Sequence, residues 1–169
     1  MKRLSFAHWP CSIARTADIV GDSWTLLVLR EAFYGIHRFD QIQRALGIPR
    51  NTLTERLGKL LEEGLLIKRA YTDEPKRYEY VLTEKGRDFF GVIAAITRWG
   101  DRWLAGEEGA PITLHHESCG HDTHAEVVCA ECGHSLRAEE TTMHTGPGYP
   151  EQLARHPEVR RRFEPDHEA

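Results

Sequence analysis

The chain has 169 residues, of which 40% are hydrophobic and 28% charged, a composition typical of a globular protein and not of a disordered one. It contains no apolar run of about 18 residues and no signal-peptide pattern, so we expect a cytoplasmic protein with no membrane partner. Residues 1–105 carry 17 Lys and Arg against 13 Asp and Glu, or +4, whereas residues 106–169 carry 5 against 13, or −8. A face for nucleic acid is therefore expected in the first part only.

The pattern of residues divides the chain into four segments. Residues 106–111 interrupt the apolar periodicity with glycine, glutamate and proline, as a linker does. Before them we predict one domain over 1–105. After them we predict a small module over 112–145, rich in histidine and cysteine, and a tail over 146–169, which is either mobile or a short helix.

Three helices are predicted in the first domain. Apolar residues recur at helical spacing over 23–34, which Gly35 ends, and over 38–46, which Gly47 ends. Pro49 suits the first turn of a third helix, whose leucines form one stripe as far as Gly64. Two short helices joined by a turn that contains glycine indicate a helix-turn-helix.

The third helix has a polar face opposite its leucine stripe, with side chains suited to base edges and phosphates. For an isolated helix, an ordinary solvated face is the simpler interpretation. Two predicted strands follow at 65–71 and 78–82, and the connection between them is basic, which favours DNA binding instead. The predicted DNA contacts are Arg38, Arg50, Asn51, Thr52, Thr54, Arg56, Lys59, Lys76 and Arg77.

The predicted fold class is mainly α with a small β-hairpin, or α+β: a winged helix-turn-helix with a long C-terminal dimerisation helix, plus a small module that resembles a zinc ribbon. The long helix begins after Thr83, its N-cap. Its apolar residues could complete the core of the monomer. Two tryptophans near its end exceed what a small domain buries, so we predict a homodimer interface that includes Ile96, Trp99 and Trp103.

The chain resembles the HxlR family of bacterial regulators, relatives of MarR, over residues 8–104. The resemblance rests on ordered matches that include IVGDSWTLL at 19–27, LTERL at 53–57 and EYVLT at 79–83. It implies a homodimeric winged helix in the bacterial nucleoid that binds a palindromic operator as repressor or activator. Three positions depart from the family pattern: Ser12 and Ser23 replace a proline and a lysine, and Pro49 replaces the serine that starts the recognition helix.

Cys11 is a candidate sensor. The resemblance implies that a cysteine here can sense electrophiles or oxidants in some members, and a helix N-terminus stabilises the thiolate that such chemistry needs. The alternative is a buried thiol that packs as a small apolar group. No small-molecule effector is identified by the sequence.

The cysteines of the second part have the spacing of metal ligands. Cys129 and Cys132 form a pair separated by two residues, and His116 and Cys119 form a second pair upstream. Because a tetrahedral zinc needs four such ligands, these residues predict one structural Zn²⁺. His115, His121, His124 and His134 remain alternatives for the histidine ligand, and a redox dithiol or a disordered tail remains an alternative for the segment.

Two other functions fit the same residues. One is a zinc-dependent enzyme in which Glu117 or His121 works beside an open metal site. The other is a protein-interaction module fused to a DNA anchor. A non-enzymatic regulator is the prediction, since four protein ligands leave zinc no open position.

Overall fold

The structure, a computed structural model, describes residues 5–163. The part of the chain up to residue 105 is helical with one hairpin, and the part after it has two short strands and short helices. The elements are α1 (Ser12–Val20), α2 (Ser23–Phe33), α3 (Phe39–Leu46), α4 (Arg50–Glu62), β1 (Leu66–Asp73), β2 (Lys76–Leu82), α5 (Glu84–Asp88), α6 (Phe90–Leu104), β3 (Leu114–His116), β4 (His121–Thr123), a 3-10 turn (Ala138–Glu140), α7 (Glu151–Ala154) and α8 (Pro157–Phe163).

The core forms where α4 packs against α2. The predicted leucine stripe is confirmed: Leu53, Leu57 and Leu60 are at most 1% exposed. They belong to the same buried cluster as Val28 and Leu29 of α2, which are 0% exposed. A stripe at this spacing can be buried along its whole length on one side of a helix, which leaves the opposite side of α4 in solvent.

The turn between α3 and α4 has the predicted helix-turn-helix form. Gly47 ends α3 in the left-handed conformation, with φ +61°, which costs glycine no steric penalty. Ile48 is buried. Pro49 is the N-cap of α4 and makes no side-chain hydrogen bond, so it lies just before the first turn in which the sequence placed it.

The hairpin β1–β2, which we call the wing, is longer than predicted. The expected connection over 72–77 is shorter, because β1 extends to Asp73 and β2 begins at Lys76. These two residues are paired in the antiparallel register, and opposite charges facing each other across strands stabilise the pairing. A register shift at Tyr71 interrupts the ladder.

The prediction of one long helix after Thr83 is wrong, because the structure has two helices there, α5 and α6. Thr83 is the N-cap of α5, and its hydroxyl accepts from Gly86 N at 3.0 Å. Phe89 has ψ −9° and lies between α5 and α6, packed against the core. The half-buried ring of Phe89 packs on the core at this break, a tertiary contact that the helical spacing of the sequence does not specify.

The tail contains helices as far as its described part extends. Helices α7 and α8 follow a loop, and the rings of Tyr149 and Phe163 are in edge contact at 5.7 Å. The remaining tail, 164–169, lies outside the described residues. Between residues 5 and 163, helices long and apolar enough to cross a bilayer are absent.

The packing at Gly86 gives the first prediction. A Cβ added there would lie 2.1 Å from the carbonyl oxygen of Leu65, which is backbone and cannot rotate away. We expect Gly86→Ala to lower the free energy of unfolding by about 1–3 kcal/mol, the usual cost of overpacking. Urea denaturation followed by circular dichroism measures it.

Gly58→Ala is the matched control. Gly58 is also helical, but a Cβ there meets nothing within 4 Å. Alanine should therefore stabilise α4 by roughly 0.5–1 kcal/mol through helix propensity. Equal effects of the two substitutions would contradict the described packing of Gly86 against the backbone of Leu65.

Candidate nucleic-acid interface

Asp22 connects α4 to α2. Its carboxylate caps α2 by accepting from the backbone N of Trp24 and of Thr25, at 3.1 and 3.0 Å, and from Thr25 Oγ1 at 2.5 Å. The same carboxylate lies 2.9 Å from Arg56 Nε on α4. Asp22 therefore caps α2 and also forms an ion pair with a side chain of α4.

The outer face of α4 carries the predicted base-contacting residues near its N-terminus. Arg50, Asn51 and Thr54 are exposed, and Thr52 is half-buried. The Arg50 guanidinium lies 5.0 Å from the centre of the Phe39 ring, and Thr54 Oγ1 donates to Arg50 O at 3.0 Å. A cation over an aromatic ring keeps its donors outward while its position is restrained.

Arg56 and Lys59, two of the predicted DNA contacts, contact oxygen atoms within the protein. The Arg56 side chain is 17% exposed and paired with Asp22, and it also lies 3.0 Å from Glu55 Oε1. Lys59 Nζ donates to the backbone oxygen of Asp18. In this conformation both cations hold α4 against the N-terminal helices.

The wing presents cations to solvent. Lys76 and Arg77 are exposed, and Lys76 Nζ lies 5.8 Å from the Tyr78 ring centre. Exposed Lys68, which the sequence analysis missed, lies 5.7 Å from the ring of Tyr80, its partner across the hairpin. Side chains of a strand alternate between its two faces, so Lys68 could have been identified once the register of the hairpin was known.

Arg38 joins the helix-turn-helix to the wing. It is the N-cap of α3 and forms an isolated antiparallel bridge with Glu79 of β2. Its exposed guanidinium lies 4.1 Å from the Tyr71 ring centre. Tyr71 is the residue at the register shift of β1.

An apolar stripe on α6 is exposed. Ile96, Trp99 and Trp103 are 48%, 59% and 62% exposed, and Val92 extends the stripe at 44%. Successive members are four, three and four residues apart, which is the spacing of a helix–helix seam. We call these four residues the α6 seam.

Cys11 is the N-cap of α1. Its sulfur accepts from Ala14 N at 3.5 Å, and the side chain is exposed. The buried-thiol alternative therefore does not describe this conformation.

The predicted zinc ligands lie as two pairs. Cys119 Sγ is 3.4 Å from His116 Nδ1. In the other pair, the Cys132 backbone N–H, the Glu131 backbone N–H and the Cys132 thiol donate to the Cys129 sulfur and lower the pKa of Cys129. Over residues 5–163, no three His, Cys, Asp or Glu side chains form one group that could hold a metal ion.

Three of the four alternative histidines have other partners. His115 Nδ1 is 2.9 Å from Asp122 Oδ1, and His124 Nε2 is 3.1 Å from Glu126 Oε1. His121 Nδ1 lies 2.7 Å from the backbone oxygen of Cys119.

A groove of about 330 Å³ separates α6 from the segment that follows it. Arg98 of α6 lies 3.6 Å from Glu126 across this groove. Its other lining residues are Ala95, Trp99, Arg102, Trp103, Ala125, Val127, Ser135 and Leu136.

Comparison with known proteins gives a family match and long alignments. The HxlR-like helix-turn-helix family matches residues 19–108. An uncharacterised HTH-type transcriptional regulator of Mycobacterium tuberculosis is 46% identical over 143 residues, which cover 85% of this chain and 90% of that protein.

Two solved structures have a similar fold. PA1607, a proposed transcription factor, superposes with a TM-score of 0.75 at 31% identity, over 85% of this chain and 100% of its own. The redox regulator HypR in its reduced form superposes with a TM-score of 0.51 at 25% identity, over 56% of this chain and 97% of its own. The first alignment extends beyond the winged helix, and the second does not reach as far.

Proposed function

The chain belongs to the HxlR-like helix-turn-helix family, and on this premise we propose that it regulates transcription as a homodimer on a palindromic operator. Its relatives in mycobacteria are named HTH-type transcriptional regulators. The observation that carries the proposal is the polar face of α4, fixed opposite the buried leucines and flanked by the basic wing. Recognition of this kind needs binding groups alone, so no catalytic residue is assigned.

We assign the outer face of α4 to base edges. Arg50, Asn51 and Thr52 occupy its first turn, the part of a recognition helix that contacts bases in the major groove. An arginine can donate two hydrogen bonds to guanine, and an asparagine can both donate to and accept from adenine. Thr54 extends the same exposed face.

We assign the wing and Arg38 to phosphates. Lys76, Arg77 and Arg38 are exposed cations on elements that neighbour α4 or α3, and phosphate contacts set the register of the protein on the duplex. Arg56 and Lys59 join the interface if DNA displaces their internal partners. Each exchange would offset a contact to DNA by the loss of one within the protein.

The DNA assignment predicts different effects for two arginines. Arg77→Ala should weaken binding to all duplexes and lower the slope of log K against log salt by about 0.9, the value for one phosphate contact. Arg50→Ala should cost about 1–3 kcal/mol of discrimination between preferred and unrelated duplexes. The probe is a duplex selected from a random library with the wild-type protein, measured by fluorescence anisotropy at several salt concentrations.

Arg155→Ala is the matched control, because Arg155 is an exposed arginine paired with Glu151 in the tail. It should leave both quantities unchanged. An unaltered salt slope for Arg77→Ala would remove Arg77 from the phosphate contacts, and an unaltered sequence preference for Arg50→Ala would remove Arg50 from the base contacts.

The homodimer is argued from the α6 seam. Four large apolar side chains at seam spacing and 44–62% exposure form a surface that a monomer leaves in contact with water. Packing against the same seam of a second chain covers both surfaces, as the two-fold symmetry of dimers requires. In such a dimer the two copies of α4 should lie about 34–36 Å apart, one turn of the duplex.

We expect Trp99→Glu to dissociate the dimer, because each interface would then bury a pair of like charges without partners. Sedimentation equilibrium at micromolar concentration should give the dimer mass for wild type and the monomer mass for the variant. Met143→Glu is the control, since Met143 is 71% exposed and off the seam. A monomeric wild type, or a Trp99→Glu variant with the dimer mass, would overturn the assignment.

We further propose that Cys11 senses electrophiles or oxidants. It is exposed at the start of a helix, and the similar protein HypR is a redox regulator. The thiolate can add to the electrophilic carbon of a quinone. Alternatively, a peroxide can oxidise the thiol to a sulfenic acid with release of water.

The sensor assignment predicts that peroxide changes the DNA affinity of the wild type and that a thiol reductant restores it. Cys11→Ser should remove the response, because serine forms no sulfenic acid. Cys119→Ser should keep it, since that thiol lies in the other part of the chain. Anisotropy titration before and after oxidation measures the effect, and a full response in Cys11→Ser would exclude Cys11.

A further inference from the structure

Two hairpins after residue 112 have tips of the same design. The sequence His116-x-x-Cys119-Gly120-His121 recurs 13 residues later as Cys129-x-x-Cys132-Gly133-His134, with cysteine in place of the first histidine. The first hairpin is β3–β4, in which His116 pairs with His121. In the second, Val128 bridges Ser135 and the N–H of Cys129 donates to His134 O at 2.8 Å.

The two tips also share their backbone geometry. Gly120 N donates to His116 O, and Gly133 N donates to Cys129 O, both at 2.8 Å. The two glycines have φ +69° and +73°, a left-handed conformation that L side chains rarely adopt. Each turn thus brings its first and fourth residues to one side, the arrangement needed for two ligands to approach one ion.

The first tip has the spacing of a metal site. Zinc bonds of about 2.3 Å to sulfur and 2.0–2.1 Å to nitrogen place the two ligand atoms of a tetrahedron about 3.6 Å apart. The observed distance from Cys119 Sγ to His116 Nδ1 is 3.4 Å. Ser118 Oγ lies 2.9 Å from His116 Nε2, so it can accept the proton on the other ring nitrogen, as the second-shell partner of a metal-bound histidine does.

The second tip presents two free thiols. Cys129 and Cys132 are the first and fourth residues of its turn, in which Gly133 N donates to Cys129 O. Two cysteines separated by two residues form one half of many structural zinc sites.

The segment has no apolar core to hold these hairpins together. None of the described residues after 105 is buried. Ile112, Val127, Val128 and Leu136 are 46–57% exposed, and Met143 is 71% exposed. A short segment without a core needs another source of folding free energy, and structural zinc supplies it in small domains.

We propose that His116, Cys119, Cys129 and Cys132 bind one structural zinc ion that joins the two hairpin tips and folds residues 112–145. Soft thiolates with one imidazole select zinc over the harder divalent cations. The two pairs do not form one group in the described conformation, so binding includes their approach. Four protein ligands close the coordination shell, which assigns the ion to structure and not to hydrolysis.

Zinc content is the first test. Full-length protein purified without added metal should contain about one equivalent of zinc per chain by elemental analysis. Adding a thiol-modifying mercurial in the presence of a chromogenic zinc chelator should release it stoichiometrically. Less than about half an equivalent, both as purified and after incubation with zinc chloride, would overturn the proposal.

Variants test the ligand set. Cys129→Ser with Cys132→Ser should lose zinc, whereas Cys11→Ser should retain it, because Cys11 is an exposed cysteine outside the two tips. His116→Ala should weaken zinc binding, and His115→Ala should leave it unchanged. Wild-type zinc content in the double variant, or greater loss in His115→Ala than in His116→Ala, would contradict the assignment.

Cobalt gives a readout that holds even where a variant folds poorly. Co²⁺ titrated into metal-free wild-type protein should give the intense visible bands of a tetrahedral site and sulfur-to-metal charge transfer. The charge-transfer intensity should fall by roughly one third in Cys119→Ser, which removes one of three thiolates. An octahedral spectrum in the wild type, or an intensity that Cys119→Ser leaves unchanged, would refute a site with three sulfurs.

Discussion

The burial of three leucines of α4 against α2 is the constraint on which the interface depends. Because a helix repeats every 3.6 residues, burying Leu53, Leu57 and Leu60 fixes which side chains of α4 point outward. Truncating one such leucine to alanine typically costs about 2–5 kcal/mol, a large part of the 5–15 kcal/mol that keeps a domain folded. The polar face of α4 can therefore change its chemistry without losing its direction, as long as the stripe remains.

The cations near α4 divide into two groups by their partners. Arg50, Lys68 and Lys76 lie over aromatic rings, a contact that restrains a side chain while its donors remain hydrated. Arg56 and Lys59 instead contact oxygens of Asp22 and Asp18. The first group is ready to contact a duplex, whereas the second contributes to the packing of the free protein.

The sequence was sufficient to predict the helix-turn-helix and the wing, because each depends on local signals: the leucine spacing, Gly47, and two predicted strands joined by a basic connection. It was insufficient where contacts between residues far apart in the sequence determine the structure. Asp22 and Arg56 are 34 positions apart in the sequence, and only the packing of α2 on α4 brings them together. The break at Phe89 lies where this half-buried ring packs on the core, a tertiary contact that the local sequence does not show. For the proposed zinc ligands, the spacing predicts two pairs, and the described residues do not bring these pairs into one group.

An ion pair across the groove beside α6 links the stability of the two parts of the chain. Glu126 reaches Arg98 across it, from the hairpin segment to the helix that carries the seam. Because coupling is reciprocal, this contact stabilises the folded segment and the conformation of α6 by the same free energy. Both side chains are partly exposed, so the ion pair contributes at most about 1 kcal/mol, which changes an equilibrium by about fivefold. The ion pair by itself therefore gives a graded bias between the two parts and is too weak to act as a switch.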